Sequence, residues 1–282
     1  MRATTTPDSR GQLRPRAASA DFRIVRHAPS ADLAPFVERY WVLRWSFPPC
    51  THHVQEVLAY PCIDLVFERG HARVWGVVPG RLCRGFAGRG HVFGVKFKPG
   101  GFFPFWRKPV VRLTGRALAV DRLLGAPSDS SGMQLARAVL AEGSDQGQVA
   151  LVEAFLRTRL PHPDPSTAVV ATSVSIALHD RSLMRVDDLS RRVGVSMRSL
   201  ERLFRVYVGV SPKWTLRRFR LMDAAMRLQE GTDVDWASLA VDLGYFDQAH
   251  LINDFRTHVG LSPTRYARQA RHGTALAAGK ET

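Results

Sequence analysis

The 282-residue chain has no run of about 18 consecutive apolar residues, which excludes a transmembrane helix. Its first twenty residues hold four arginines and many small polar side chains but no continuous apolar stretch. That composition argues against a secretory leader and predicts a disordered basic lead-in over 1–20. Cysteine is scarce. Cys50, Cys62 and Cys83 are too few and too irregular for a disulfide framework, and they fit a reducing cytoplasm. Cys50, His52, His53 and Cys62 carry metal-binding groups, but their spacing matches no compact zinc finger, so no metal is expected. The loops of common enzymes are missing too: there is no G-x-S-x-G, P-loop, H-E-x-x-H or G-x-G-x-x-G. Gly85, Gly88 and Gly90 stand in an order that fits no phosphate loop. Asp64 and Glu68 form either a carboxylate pair or the polar side of an alternating strand. Neither an enzymatic activity nor a cofactor is expected.

Lysine is also rare. Only Lys96, Lys98, Lys108, Lys213 and Lys280 accompany the arginines among 40 basic residues, against 25 acidic ones, for a net charge of +15. An excess of that sign suggests an acidic partner, most often nucleic acid. Its distribution is uneven. Residues 1–164 carry 23 basic and 13 acidic side chains, and residues 165–272 carry 16 and 11. Within the second part, 185–227 nets +7 and 228–266 nets −4.

Pro161, Pro163 and Pro165 divide the chain, because alternating prolines cannot continue a helix. Before them, Leu33, Phe36, Val37 and Tyr40 have helical spacing over 33–41. Apolar runs at 54–60, 63–67, 72–78 and 91–97 predict short strands of an antiparallel sheet or small barrel. Helical patterns follow at 133–141 and 148–160, which makes the domain α+β. Its many aromatic residues, among them Trp41, Phe93, Phe97 and Phe102, either pack a core or line a ligand pocket. The expected organisation is a lead-in over 1–20, an α+β sensing or dimerisation domain over 21–160, and a linker over 161–166. An all-α DNA-binding domain follows over 167–270, and a tail over 271–282.

The second part repeats itself. Leu189, Gly194, Ser196, Leu200, Phe204, Gly209 and Pro212 recur as Leu239, Gly244, Asp247, Leu251, Phe255, Gly260 and Pro263. The offset is 50 residues before the turn and 51 after it. In each copy a short helix ends at a glycine suited to a left-handed cap. Ser196 or Asp247 then suits the N-cap of a second helix. Two apolar residues four apart give that helix an inward face. Helix, glycine turn and helix make a helix-turn-helix, here present twice. The stretch 212–230 between them predicts a linker helix about 25 Å long, comparable with the DNA turn of about 34 Å.

These residues carry a resemblance. Segment 182–270, through 196–204, 209–212 and above all 240–251, resembles the DNA-binding domain of the AraC/XylS family of bacterial transcription regulators. Segment 54–116 resembles an uncharacterised domain that precedes it in actinobacterial proteins. The resemblance implies a seven-helix bilobal fold and sequence-specific binding to double-stranded promoter DNA. It implies a small-molecule effector or homodimerisation for the N-terminal domain, and RNA polymerase as a partner where the regulator activates. No membrane partner is implied.

In the first motif, Ser196, Arg198, Ser199, Glu201, Arg202 and Arg205 are the candidate DNA-binding residues. The resemblance places base contacts at Arg198, Glu201 and Arg202. Arginine suits guanine and glutamate accepts from cytosine, whereas Arg205 lies further along and suits phosphate. In the second motif the candidates are Asp247, Gln248, Ala249, Ile252, Asn253 and Arg256. Gln248 or Asn253 suits adenine, Ala249 or Ile252 a thymine methyl, and Arg256 phosphate. Lys213, Arg217 and Arg218 are further phosphate candidates. Two other functions compete with a regulator. One is a DNA-targeted repair or modification enzyme with a reactive cysteine or metal, and the other is an architectural DNA binder without effector.

Overall fold

Apolar residues cluster in short strand-forming stretches, and in the computed structural model most of them are buried. The structure describes residues 11–13, 22–124, 130–162, 164–180, 182–229 and 235–278. Eight strands form: β1 (Phe22–His27), β2 (Val37–Ser46), β3 (His52–Leu58), β4 (Asp64–Glu68), β5 (His71–Trp75), β6 (Arg81–Ala87), β7 (Arg89–Phe97) and β8 (Ala117–Ala119). Six of them pair antiparallel in the order β1-β2-β7-β4-β5-β8, and β3 pairs with β6 separately. The large sheet is open, so the small barrel expected as one alternative does not form. Trp41 and Trp45 of β2 lie opposite Gly94 and Gly90 of β7. A Cβ at either glycine would overlap the facing indole. Phe67, Phe93, Phe97 and Phe102 are fully buried. That set packs a core.

The helix expected over 33–41 is instead a turn that leads into β2. Leu33, Phe36, Val37 and Tyr40 are all buried, as the helical spacing required. However, the β-branched and aromatic run from Val37 onward gains a full ladder against β7, and tertiary pairing overrides the local period. α1 (Phe103–Trp106) lies between β7 and β8, and α2 (Asp121–Leu124), α3 (Ser130–Ala141) and α4 (Asp145–Arg157) follow β8. α3 lies against β4, β5 and β7.

Among the described residues from 165 onward, seven α-helices form: α5 (Pro165–His179), α6 (Val186–Val193), α7 (Met197–Leu203), α8 (Pro212–Gln229), α9 (Trp236–Asp242), α10 (Gln248–Val259) and α11 (Pro263–Ala278). Asp164 caps α5 by accepting from the Ser166 amide at 2.9 Å and also accepts from the Tyr207 hydroxyl at 2.6 Å. The proline stretch therefore ends in a fixed helix start. α11 carries the fold past residue 271, so helix replaces part of the expected tail; 279–282 lie outside the described residues.

The two halves share one continuous set of buried apolar side chains. Tyr60 rests on Phe219, with ring centres 5.7 Å apart. The Thr114 hydroxyl donates to the Gly209 carbonyl at 2.5 Å. The expected disordered lead-in fails at 11–13. Leu13 is buried, its carbonyl accepts from the Tyr266 hydroxyl at 2.6 Å, and the Gln12 carbonyl accepts from Gln229 at 2.9 Å. A buried leucine among polar neighbours has no period of its own, so local composition misses it. The rest of 1–20 lies outside the described residues.

Candidate nucleic-acid interface

Both copies of the repeat fold as helix-turn-helix units. In the first, α6 ends at Gly194 with φ +70°, and the chain re-enters a helix at Ser196. The Ser196 hydroxyl accepts from the Ser199 amide at 3.2 Å, which satisfies one of the free N–H groups at the start of α7. Leu200 and Phe204 are fully buried. Removing that inward stripe leaves Arg198, Glu201, Arg202 and Arg205 exposed, three, four and seven positions apart along one face. A single π-helical turn, Phe204–Val208, and Gly209 with φ +95° then stop the motif.

The second unit follows the same plan. Asp235 caps α9 by accepting from the Ala237 amide at 3.0 Å, and Gly244 takes φ +70°. Asp247 caps α10 by accepting from the His250 amide at 2.7 Å. Leu251 and Phe255 face the core. Gln248, Ala249, Asn253 and Arg256 are exposed, and Ile252 is half-buried. Ser196, Ser199 and Asp247 thus spend side-chain hydrogen bonds on helix starts, and the exposed stripes carry the outward chemistry.

Two of the phosphate candidates are placed otherwise. Arg218 is buried, with its guanidinium 4.5 Å from the Trp214 ring centre, and donates to the carbonyls of Pro79 and Gly80 in the β5–β6 loop. Burial lowers its pKa to about 10, so it remains charged at neutral pH. Its position in α8 faces the sheet domain, which the charge pattern of one helix does not reveal. Arg217 is half-exposed and forms an ion pair with Asp254 of α10, so it is tethered and not free for phosphate. Lys213 remains exposed.

Asp254 counts toward the −4 of its segment but does not face solvent. It sits between Leu251 and Phe255 on the buried face of α10, 3% exposed, and accepts from the Tyr245 hydroxyl at 2.8 Å as well as from Arg217. A carboxylate inside an apolar stripe was the available signal. Burial, with Arg217 and Arg218 nearby, lowers the His258 pKa to about 4, so this imidazole is neutral at pH 7. Burial also raises the Tyr245 pKa to about 12. Arg220 donates to the carbonyls of Leu183 and Met184, which ties α8 to the loop before α6. A cleft of about 400 Å³ lies between the two units, lined in part by Arg185, Lys213, Arg217, Arg220, Tyr245 and His250. Its lining holds four Arg and Lys side chains against one carboxylate, Asp254, although the second unit alone is acidic.

Cys50 and Cys83 are exposed, whereas Cys62 is not placed as a reactive centre. Cys62 is buried beside Asp64, and burial followed by that carboxylate raises its pKa well above the ordinary thiol value. His53 packs instead against Phe22, with ring centres 4.7 Å apart. Among the described residues no helix is long and apolar enough to cross a membrane.

A family model described as a domain of unknown function (DUF6597) matches residues 25–119, and one described as a helix-turn-helix domain matches 189–269. The HTH-type transcriptional regulator ArgR of Pseudomonas aeruginosa is 25% identical over 179 residues, which cover 61% of this chain and 52% of that protein. The HTH-type transcriptional activator AarP of Providencia stuartii is 29% identical over 83 residues, covering 29% of this chain and 61% of that one. The chain spans about half the length of the curated relatives it first matches. Among solved structures, a transcriptional regulator from Chromobacterium violaceum with an AraC-type DNA-binding domain is 28% identical. It covers 37% of this chain and 94% of its own, with TM-score 0.35. ToxT from Vibrio cholerae is 9% identical and covers 88% of this chain and 98% of its own, with TM-score 0.36.

Proposed function

We propose that the C-terminal helix-turn-helix segment is of the AraC type and that the chain is a sequence-specific DNA-binding transcription regulator. One observation carries this: two helix-turn-helix units, each with a capped second helix and an exposed stripe on it, joined by the rigid helix α8. Arg198, Glu201 and Arg202 read base edges, and Arg205, Lys213 and Arg256 hold phosphates. Gln248, Ala249, Ile252 and Asn253 read the second groove. The sheet domain, over about 21–160, senses a small molecule or pairs two copies of the chain. Its direct contacts with Gly209 and α8 support a role in setting the attitude of the reading domain, which extends over about 167–270. RNA polymerase is a partner where the regulator activates, and the cytoplasm is the compartment.

Selection of bound duplexes from random DNA at fixed salt tests this. The expected product is a two-part site with its halves about one helical turn apart. Affinity for it should fall steeply with salt, by about one logarithmic unit of slope per phosphate contact. Recovery of unenriched sequence would overturn the proposal in favour of an architectural binder.

A further inference from the structure

The two copies of the repeat differ by one residue in the turn, and the hydrogen bonds identify which one. The Val195 amide donates to the Ser190 carbonyl at 3.2 Å, and the Tyr245 amide to the Ala240 carbonyl at 2.9 Å. Val195 and Tyr245 are therefore equivalent, and both side chains turn inward, Tyr245 fully and Val195 partly. In the first copy the next residue is the cap Ser196; in the second, Phe246 intervenes before the cap Asp247. The inserted residue is thus a phenylalanine, and it is 92% exposed, more than any other large apolar side chain described. Val241, on the preceding helix α9, is 68% exposed. The insertion packs against nothing that would explain its ring.

Its place points to what covers it. A recognition helix enters the major groove with its N-terminal residues foremost. Phe246 stands one residue before the cap of that helix, near exposed Gln248 and Ala249. The surrounding segment 228–266 nets −4, so its hold on DNA must come largely from contacts other than ion pairs. A phenyl ring supplies such a contact against the 5-methyl group of thymine. Resting on the function proposed above, we propose that Phe246 is a specificity-determining residue of the second unit, packing on a thymine methyl in the second half of the site.

The experiment uses the full chain and the duplex selected from random DNA. Each thymine is replaced singly by deoxyuridine, which removes only the methyl, and affinity is measured by fluorescence anisotropy at constant salt. One position in the second half should lose about fourfold, the worth of one methyl group taken out of water. F246A should bind the unmodified duplex about fourfold more weakly and become indifferent to that replacement. Its exposure means that F246A should melt at the wild-type temperature and keep its dependence on the first half-site. F246A that remains sensitive to deoxyuridine at the same position overturns the proposal. So does F246A that binds every duplex like the wild type while losing an interaction with RNA polymerase, since the ring would then be a protein contact. A selected site with a first half and no second half overturns this inference and leaves DNA reading intact. A pool with no enrichment overturns both.

Discussion

The two helix-turn-helix units share a backbone plan and differ in how they are held and charged. The first presents Arg198, Arg202 and Arg205 to solvent within a segment of net charge +7. The second presents Gln248, Ala249, Asn253 and Phe246 within a segment of net charge −4, and its polar anchoring is internal: Asp254 with Arg217 and Tyr245. One scaffold therefore supports two modes of contact. Caps, glycine turn and inward stripe set the fold, and the outward positions stay free to vary. Under the proposed function the first unit relies on electrostatic attraction and base-edge hydrogen bonds, and the second on neutral and apolar contact.

The contrast in anchoring can be broken most strongly at Asp254. Asp254→Ala leaves the Tyr245 hydroxyl buried without its acceptor and Arg217 without its partner. Loss of a fully buried pair typically costs 3–5 kcal/mol; Arg217 is half in water, so the expected loss is about 2–3 kcal/mol, read by urea denaturation. Binding to the second half-site should fail before binding to the first.

The contrast in reading is sharpened at Arg202. Arg202→Ala should weaken specific binding by about 1–3 kcal/mol and relax one base position, with the melting temperature unchanged because the side chain is exposed. An unchanged base preference in repeat selection would count against a base contact there. Caps test the shared part of the plan. Ser196→Ala and Asp247→Ala should each cost about 1 kcal/mol in denaturation, and near-equal losses would show that the two units use their caps alike.

At neutral pH the smallest expected effect is that of His258, whose contribution to stability changes only in acid. Its pKa is depressed to about 4 in the folded chain, against roughly 6.5 when unfolded. The unfolded state binds the proton first, so this contribution is complete above about pH 6.5 and is lost as pH falls toward 4. His258→Gln should flatten the stability curve across that window. A curve of unchanged slope would remove His258 as the cause.

The repeat was legible because helix caps, glycine turns and four-residue apolar spacing are local: Gly194, Ser196, Gly244 and Asp247 each take the conformation that their residue type favours. β3, β4, β5 and β7 fall close to the expected runs for the same reason. β6 was not read, because Arg81, Arg84 and Gly85 lie on a largely exposed strand with no apolar alternation. The start of β2 reads as helix because Leu33, Phe36, Val37 and Tyr40 are spaced like one helical face; pairing with β7, irregular between Val37 and Arg39, brings Val37 and Tyr40 into the core of a strand instead. Arg217 and Arg218 illustrate the same limit in the candidate interface. Adjacent on one helix and alike in charge, they end with one tethered to a carboxylate and the other buried on two carbonyls of a distant loop.

The net charge, the missing enzyme loops, the doubled motif and its capped reading helices were determined by the sequence alone, since each depends on residue type and on spacing within a few turns of helix. Tertiary structure decided the open sheet, the seating of Leu13 beneath Tyr266, and the removal of Arg218 from solvent. It also decided which side chains of α8 face outward. These outcomes depend on which surface arrives from far along the chain, and a burial or an ion pair exists only once that second surface is there.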